Sequence, residues 1–165
     1  MSIRETTTIS ASPQKVVEAY ASEGFARHVS QKAKVQFESL TVEGDPAGPF
    51  TVTTVRTVGG DRIPDVARKF VKNGVRLTQK DVYAAPAQDG SRSVETSVEV
   101  SGIPVSATAA QQLRAEGERT VVDLTGEVTA SIPLVGKKIS AAVEPYIGKA
   151  LGLQAREVEA WIRKN

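Results

Sequence analysis

Apolar and polar residues alternate strictly along the segment that begins at Thr120. The apolar phase holds Val122, Leu124, Gly126, Val128, Ala130 and Ile132, and the other phase holds Asp123, Thr125, Glu127, Thr129 and Ser131. A period of two is typical of a β-strand with one buried face. After Pro133, apolar residues return at helical spacing, at Ile139, Val143, Ile147, Leu151, Val158, Trp161 and Ile162. The pattern predicts a last strand followed by one helix of roughly 40 Å, at about 1.5 Å per residue, which lies across the sheet.

The rest of the chain predicts a strand, a helix pair and five more strands before that last strand. Ile3 to Ile9 is the first strand, and Ser12 followed by Pro13 is typical of a helix N-terminus. A second short helix is predicted from Phe25 to Lys32. The later strands are predicted at residues 35–42, 50–58, 75–84, 93–101 and 105–115, separated by short loops that contain Gly, Pro or Asp. Short loops favour antiparallel pairing of neighbours, so we expect one domain, residues 1–165, of the α+β class with a seven-stranded antiparallel sheet.

The second strand carries a sign of curvature. Its apolar phase changes from Val35 and Phe37 to Leu40 and Val42. A change of phase within one strand is typical of a β-bulge, which bends the strand. The sheet is therefore predicted to curve around the C-terminal helix.

The composition excludes several kinds of site and partner but does not indicate a particular function. Of the 165 residues, 40% are hydrophobic and 24% are charged, which are values of an ordinary globular protein. The net charge of +2 is too small to indicate a nucleic-acid partner. The chain has no cysteine, which excludes disulfides, thiolate metal sites and cysteine nucleophiles. Because neither a signal-peptide pattern nor an apolar run of about 20 residues occurs, we expect a cytoplasmic protein.

Catalytic and metal-binding motifs are not found. His28 is the only histidine, so a site with several histidine ligands is excluded, and we expect no metal and no cofactor. There is neither a phosphate loop nor a Gly-x-Ser-x-Gly motif. Asp81 and Asp123 lie within strands, but Asp123 is on the polar phase. A pair of carboxylates for acid–base catalysis is therefore not predicted.

The order of elements resembles the helix-grip superfamily, which includes START lipid-transfer domains, plant pollen allergens and polyketide cyclases or dehydratases. The segments at residues 126–139 and 63–70 are similar to an uncharacterised bacterial branch of it. The resemblance implies a cavity between the sheet and the long helix that holds an apolar or amphipathic ligand. The residues we assign to this ligand site are Phe37, Val52, Arg56, Leu77, Val98, Leu124, Val143, Tyr146 and Ile147.

Side-chain size favours such a cavity but leaves an alternative. Aromatic residues are only 5% of the chain, and the strand segment at residues 106–110 consists of Ser, Ala and Thr. Small residues beneath a long helix leave volume, unless the helix sinks inward at Gly148 and Gly152 and closes it. The predicted function is therefore binding or transport of a lipid-like molecule. A cyclase- or dehydratase-like enzyme, or an interaction module with a filled core, is the alternative.

Two of the assigned residues carry polar groups whose direction the pattern leaves open. Arg56 either points inward, where its guanidinium would bind a carboxylate or phosphate head group, or points to solvent. Tyr146 follows Pro145, which is predicted to kink the helix, and offers either a cavity hydroxyl or ordinary packing.

A basic amphipathic segment lies between the third and fourth strands. Ile63, Val66 and Phe70 are predicted to form the apolar side of a short helix at the cavity entrance. Arg68, Lys69 and Lys72 are predicted to face outward, where they would contact an anionic membrane. The alternative is a loop helix that packs on the end of the sheet with its charges in water.

Overall fold

The computed structural model describes residues 2–71 and 73–165, and it contains one antiparallel sheet partly covered by helices. Lys72, one of the predicted membrane contacts, lies outside the described residues. The strands are β1 (Ser2–Ile9), β2 (Gln36–Gly44), β3 (Phe50–Val58), β4 (Val75–Tyr83), β5 (Arg92–Val100), β6 (Val105–Glu116) and β7 (Arg119–Ala130). The helices are α1 (Pro13–Tyr20), α2 (Glu23–Lys32), the short α3 (Asp65–Arg68) and α4 (Gly136–Lys164). The seven strands lie in the order β1-β7-β6-β5-β4-β3-β2, so the predicted architecture is confirmed.

The helix pair α1 and α2 begins where the capping residues predict. The Ser12 hydroxyl accepts a hydrogen bond from the Lys15 backbone N–H at 3.3 Å, and Pro13 is the first helical residue. Ser22 caps α2 in the same way through Phe25, so α2 starts at Glu23, two residues before the predicted start. These bonds satisfy backbone donors that a helix N-terminus leaves without partners.

The predicted bulge in β2 is present. The register between β2 and β3 shifts between Phe37 and Ser39, which places Phe37 opposite Arg56 and Leu40 opposite Thr54. One extra residue at this point keeps both Phe37 and Leu40 on the inner face. The edge of the sheet therefore bends toward the helices.

Gly126 of β7 lies close to the neighbouring strand. A Cβ at this position would lie 2.7 Å from the Thr108 carbonyl oxygen and 2.9 Å from the Ala109 Cβ, both on neighbouring β6. The missing side chain therefore permits close approach of the two strands.

Helix α4 lies closest to one edge of the sheet. It packs against β1 and β7, and further along against α1, α2 and α3. A Cβ at Gly148 would lie 3.4 Å from the Ile3 side chain, and a Cβ at Gly152 would overlap the Glu5 carboxylate. With 29 residues and about 1.5 Å per residue, α4 is roughly 43 Å long. The helix thus does sink onto β1 at these glycines, while the inner faces of β3, β4 and β5 lie beside it. Pro145 is inside α4, and the kink there stays a prediction.

Candidate functional site

A band of polar side chains crosses the inner face of the sheet. Thr54 and Arg56 of β3 share the phase of buried Val52, and Gln79 and Asp81 of β4 share the phase of buried Tyr83. Cross-strand pairing then places Asp81 opposite Thr96 of β5. We call this set the polar belt, and its six members are Thr54, Arg56, Gln79, Asp81, Thr96 and Gln111. All of them except Arg56 are buried.

Most of the belt is joined by a continuous chain of hydrogen bonds. Arg56 Nη1 donates to Gln79 Oε1 at 3.1 Å, and Gln79 Nε2 donates to Asp81 Oδ2 at 3.0 Å. Thr96 Oγ1 donates to Asp81 Oδ1 at 2.6 Å. Gln111 Nε2 donates in turn to Thr96 Oγ1 at 3.1 Å. The Arg56 guanidinium and the Asp81 carboxyl are therefore linked through the amide of Gln79 across two strands.

Asp81 is the titratable group at the centre of the belt. Asp81 is buried, with only 3% of the residue exposed. Burial raises the pKa of Asp81 to about 6, against hydrogen bonds from Thr96 and Gln79 and the charge of Arg56, which lower it. A carboxyl group with this pKa exchanges its proton near neutral pH, whereas an ordinary aspartate does not.

Two buried tyrosines lie near this carboxyl group. Burial raises the pKa of Tyr20, and the Asp81 charge raises it further. The Tyr20 hydroxyl is buried and has no hydrogen-bond partner among the described residues. Burial likewise raises the pKa of Tyr83, so both phenols stay protonated. Tyr20 thus contributes an unused donor close to the belt.

Apolar side chains fill the space on both sides of the belt. One cluster joins α1, α2 and the end of α4 to the sheet and includes Val52, Phe50 and Val158. The other cluster joins the first half of α4 and the segment around α3 to the opposite end of the sheet. The polar belt therefore lies between two apolar regions on one continuous inner face.

Five predicted ligand residues lie together in the second cluster. These are Leu77, Val98, Leu124, Val143 and Ile147, contributed by β4, β5, β7 and α4. Val52 belongs to the first cluster, and Arg56 belongs to the belt. Phe37 is inward on β2, but the guanidinium of Arg27 lies 4.5 Å from the centre of its ring. The sheet and α4 thus bring together six of the predicted residues, Arg56 and these five, between the inner face and the helix.

Arg56 and Leu77 form the accessible part of this region. They are cross-strand partners on β3 and β4, and Phe37 and Val100 continue the same row on either side. All four side chains are partly exposed although they point to the inner face. The pattern left the direction of Arg56 open, and the structure places it inward.

Two of the predicted site residues, Tyr146 and Phe70, are exposed. Tyr146 is 58% exposed, because its position on α4 lies outside the stripe formed by Val143 and Ile147. Phe70 is 42% exposed, and it lies beyond the end of α3, which spans only Asp65–Arg68. The predicted helix from Ile63 to Phe70 is therefore a single turn.

The rest of that segment packs on the sheet, as in the alternative to a helix at the cavity entrance. Ile63 is buried and Val66 is partly buried in the cluster that holds the five predicted ligand residues. Arg68, however, turns back on the segment: it pairs with Asp65 at 2.8 Å and donates to the Ile63 carbonyl at 2.9 Å. Lys69 lies with its Nζ 5.3 Å from the centre of the Phe70 ring. Arg68 thus stabilises the segment rather than projecting a free charge.

Two surface pockets lie away from this region. One, of about 510 Å³, lies between the start of α1 and the β6–β7 turn. The other, of about 370 Å³, is lined mainly by residues of β1, β6 and β7. Neither is lined by a predicted ligand residue, so an enclosed cavity under α4 stays a prediction.

Among the residues at 2–71 and 73–165, no cluster of side chains suited to a metal ion occurs. Within the same residues, no helix is long and apolar enough to cross a membrane.

Apart from Arg56, the residues of the polar belt are not among the predicted ligand residues, which are mostly apolar. The strand alternation contained the necessary signal: if Val75, Leu77 and Tyr83 of β4 point inward, then Gln79 and Asp81 between them must also point inward. Asp123, by contrast, lies on the outer face as predicted, where Arg114 donates to it at 2.7 Å.

Three solved structures of other proteins share this fold. A START superfamily protein from Mycobacterium smegmatis is 9% identical, with 99% of this chain and 97% of that chain covered and a TM-score of 0.56. A point mutant of norcoclaurine synthase from Thalictrum flavum, in complex with a transition-state analogue, is 16% identical, with 99% and 94% covered and a TM-score of 0.54. The Zhui aromatase/cyclase from Streptomyces sp. R1128 is 13% identical, with 96% and 93% covered and a TM-score of 0.54.

At these identities the likeness concerns the fold, which is the α+β helix-grip fold of START-like proteins, as the order of elements predicts. The chain belongs to the family described as "Protein of unknown function (DUF2505)", whose model matches residues 4–162. No curated protein matches the sequence.

Proposed function

We propose that the protein binds, and carries, an amphipathic small molecule between the inner face of the sheet and α4. The apolar part of the ligand packs against Leu77, Val98 and Leu124 of the sheet and against Val143 and Ile147 of the helix. Its polar part lies at Arg56. The START-like fold supports this proposal, since the resemblance to helix-grip proteins implies a ligand cavity between the sheet and the long helix.

The observation that carries the proposal is the partly buried guanidinium of Arg56, which lies on the inner face beside apolar Leu77. Arg56 Nε donates to Ser30 Oγ at 2.8 Å and Nη1 donates to Gln79. No hydrogen bond donated by Nη2 is found within the part of the chain that the structure describes. A charged donor that stays partly exposed beside Leu77 offers one polar contact next to an apolar wall, which is the arrangement that an amphipathic ligand needs.

Purified protein tests this function directly. Native mass spectrometry, followed by solvent extraction, is expected to find a bound amphipathic molecule, or uptake of added decanoate at one site per chain. Arg56→Met should weaken this binding at least tenfold, because a buried or half-buried charged hydrogen bond contributes about 1.5–3 kcal/mol. Arg76→Met is the matched control, since Arg76 lies on β4 but points outward and is exposed.

The result that contradicts the proposal is a chain that carries no adduct and takes up no decanoate. That outcome favours the interaction module with a filled core. Equal loss of binding in both arginine variants would contradict the site rather than the function.

Asp81 favours a second candidate function, a cyclase- or dehydratase-like enzyme. A group that transfers protons works best when its pKa lies near the working pH, and burial raises the pKa of Asp81 to about 6. Two of the proteins with the same fold carry enzyme names. Turnover of a poly-β-ketone that is lost in Asp81→Asn, with ligand binding retained, would support the enzyme over the carrier.

Peripheral contact with anionic membranes, and a cytoplasmic location, belong to the carrier proposal. With Arg68 bound to its own segment, the contact depends on Lys69 and exposed Phe70. Sedimentation with vesicles that contain anionic lipid, at low and high salt, checks it: Lys69→Gln should reduce binding at low salt. Binding that ignores both salt and this substitution would contradict the contact.

A further inference from the structure

We propose that the ligand carries an anionic head group and that its binding at Arg56 is coupled to the uptake of one proton by Asp81. This inference rests on the proposed function and deepens it, because it names the chemical class of the ligand and a regulator of the site. It rests on the hydrogen bonds that link the partly exposed Arg56 to the buried Asp81 through the side-chain amide of Gln79.

The Arg56 guanidinium faces two ways. Its Nη1 donates to Gln79, whose own amide nitrogen donates to both Asp81 oxygens at 3.0 and 3.3 Å. Its Nη2 has no hydrogen bond within the described residues. A guanidinium nitrogen that has no other hydrogen bond can donate to a carboxylate, sulfonate or phosphate. Nη2 of Arg56 is therefore the donor for an anion, while Nη1 is linked to Asp81 through Gln79.

Arg56 supplies the single positive charge of this belt. Burial lowers the pKa of Arg56 from its ordinary value, against the charge of Asp81, which raises it. The other titratable groups that face Asp81 are Tyr20 of α1 and Tyr83 of β4, and both are held neutral. From β5 and β6 the neighbours are the uncharged Thr96 and Gln111. One cation would therefore have to compensate two anions when an anionic ligand binds.

Proton uptake resolves this excess of negative charge. An added anion disfavours the ionised form of a nearby carboxyl group, so ligand binding raises the pKa of Asp81 above its ligand-free value of about 6. Below that value Asp81 already holds its proton and binding is tight. Above it, each binding event must first take a proton from solution, so affinity falls as pH rises, by at most about tenfold per pH unit.

The test uses decanesulfonate, whose head group stays ionised throughout, and decanol as the neutral control of equal chain length. Isothermal titration calorimetry of the full chain at pH 7, in buffers with different ionisation enthalpies, measures the protons taken up. We expect an uptake approaching one proton for decanesulfonate and none for decanol. Between pH 6 and pH 8, decanesulfonate should bind several-fold to about a hundredfold more weakly, and decanol should bind equally.

Two variants assign the proton. Asp81→Asn should abolish both the uptake and the pH dependence, and it should bind decanesulfonate at pH 8 as tightly as the natural chain does at pH 6. His28→Gln, which replaces the only histidine of the chain, should change neither. His28 lies on α2 and pairs with Glu157 at 2.9 Å, away from the belt.

The outcomes separate the two proposals. Decanesulfonate that binds with no proton uptake overturns the coupling and leaves the proposed function intact. Decanol that binds more tightly than decanesulfonate at pH 6 overturns the anionic class. If neither compound binds, both the coupling and the proposed amphipathic site are wrong.

Discussion

The Asp81→Asn substitution should lower the free energy of unfolding at acid pH and raise it at neutral pH. The folded-state pKa of about 6 lies above the ordinary value of 3.8, because burial disfavours the ionised form. Asp81 therefore stabilises the fold fully below pH 3.8, and this stabilisation is lost as pH rises through 6. At about 1.4 kcal/mol per pH unit of difference, ionisation costs the folded state about 3 kcal/mol above pH 6.

Asparagine avoids this cost but loses a hydrogen bond. Its single oxygen can accept from Thr96, whereas its amide then faces the amide nitrogen of Gln79, which costs about 1 kcal/mol. We therefore expect Asp81→Asn to be about 1 kcal/mol less stable than the natural chain at pH 3.5 and about 2 kcal/mol more stable at pH 8. Urea unfolding at a series of pH values measures both differences.

Asp123→Asn provides the opposite control. A hydrogen bond from Arg114 holds the pKa of Asp123 below its usual range, so its stabilisation is lost as pH falls. A difference between Asp81→Asn and the natural chain that stays constant from pH 3.5 to 8 would refute the account of the belt.

Three further substitutions test the packing. Gly126→Ala should cost about 1–3 kcal/mol in urea unfolding, because a Cβ there meets the neighbouring backbone, whereas Gly48→Ala should cost far less, because the nearest atom to a Cβ there is 4.0 Å away; equal costs would contradict this reason. Arg92→Met should lower stability by at least about 3 kcal/mol, since buried Arg92 donates to the Ala84 and Gly48 carbonyls and to Gln14, and an unchanged melting temperature would contradict it. Phe70→Ala should cost under about 1 kcal/mol because its ring is 42% exposed, and a loss of about 3–5 kcal/mol, as for a buried phenylalanine, would contradict this placement.

The sequence predicts the fold well where alternation is carried by apolar residues. The last strand and the bulge at Phe37 follow from the spacing of side chains along single strands, which is local information. The capping pair Ser12 and Pro13 is local in the same sense. The structure confirms these features, and the pattern that predicts each of them lies within one short segment of the chain.

The polar belt depends on contacts between neighbouring strands as well as on alternation. Alternation along β4 places Gln79 and Asp81 inward, but only the pairing of β3, β4 and β5 places Arg56 and Thr96 beside them. The exposure of Tyr146 has a related cause. Helical spacing predicts the apolar stripe of α4. Which residues beside that stripe are covered depends on where α4 contacts β1 and β7.

Methyl NMR with decanoate tests the central claim most directly, because it locates the ligand as well as detecting it. We predict saturable shifts for the inward methyl groups of Leu77, Val98, Leu124, Val143 and Ile147. Val55 and Val82 on the outer face should not shift, and Arg56→Met should weaken the response without moving it elsewhere. Shifts confined to outer methyl groups, or no saturable shift at all, would contradict a ligand site between the sheet and α4.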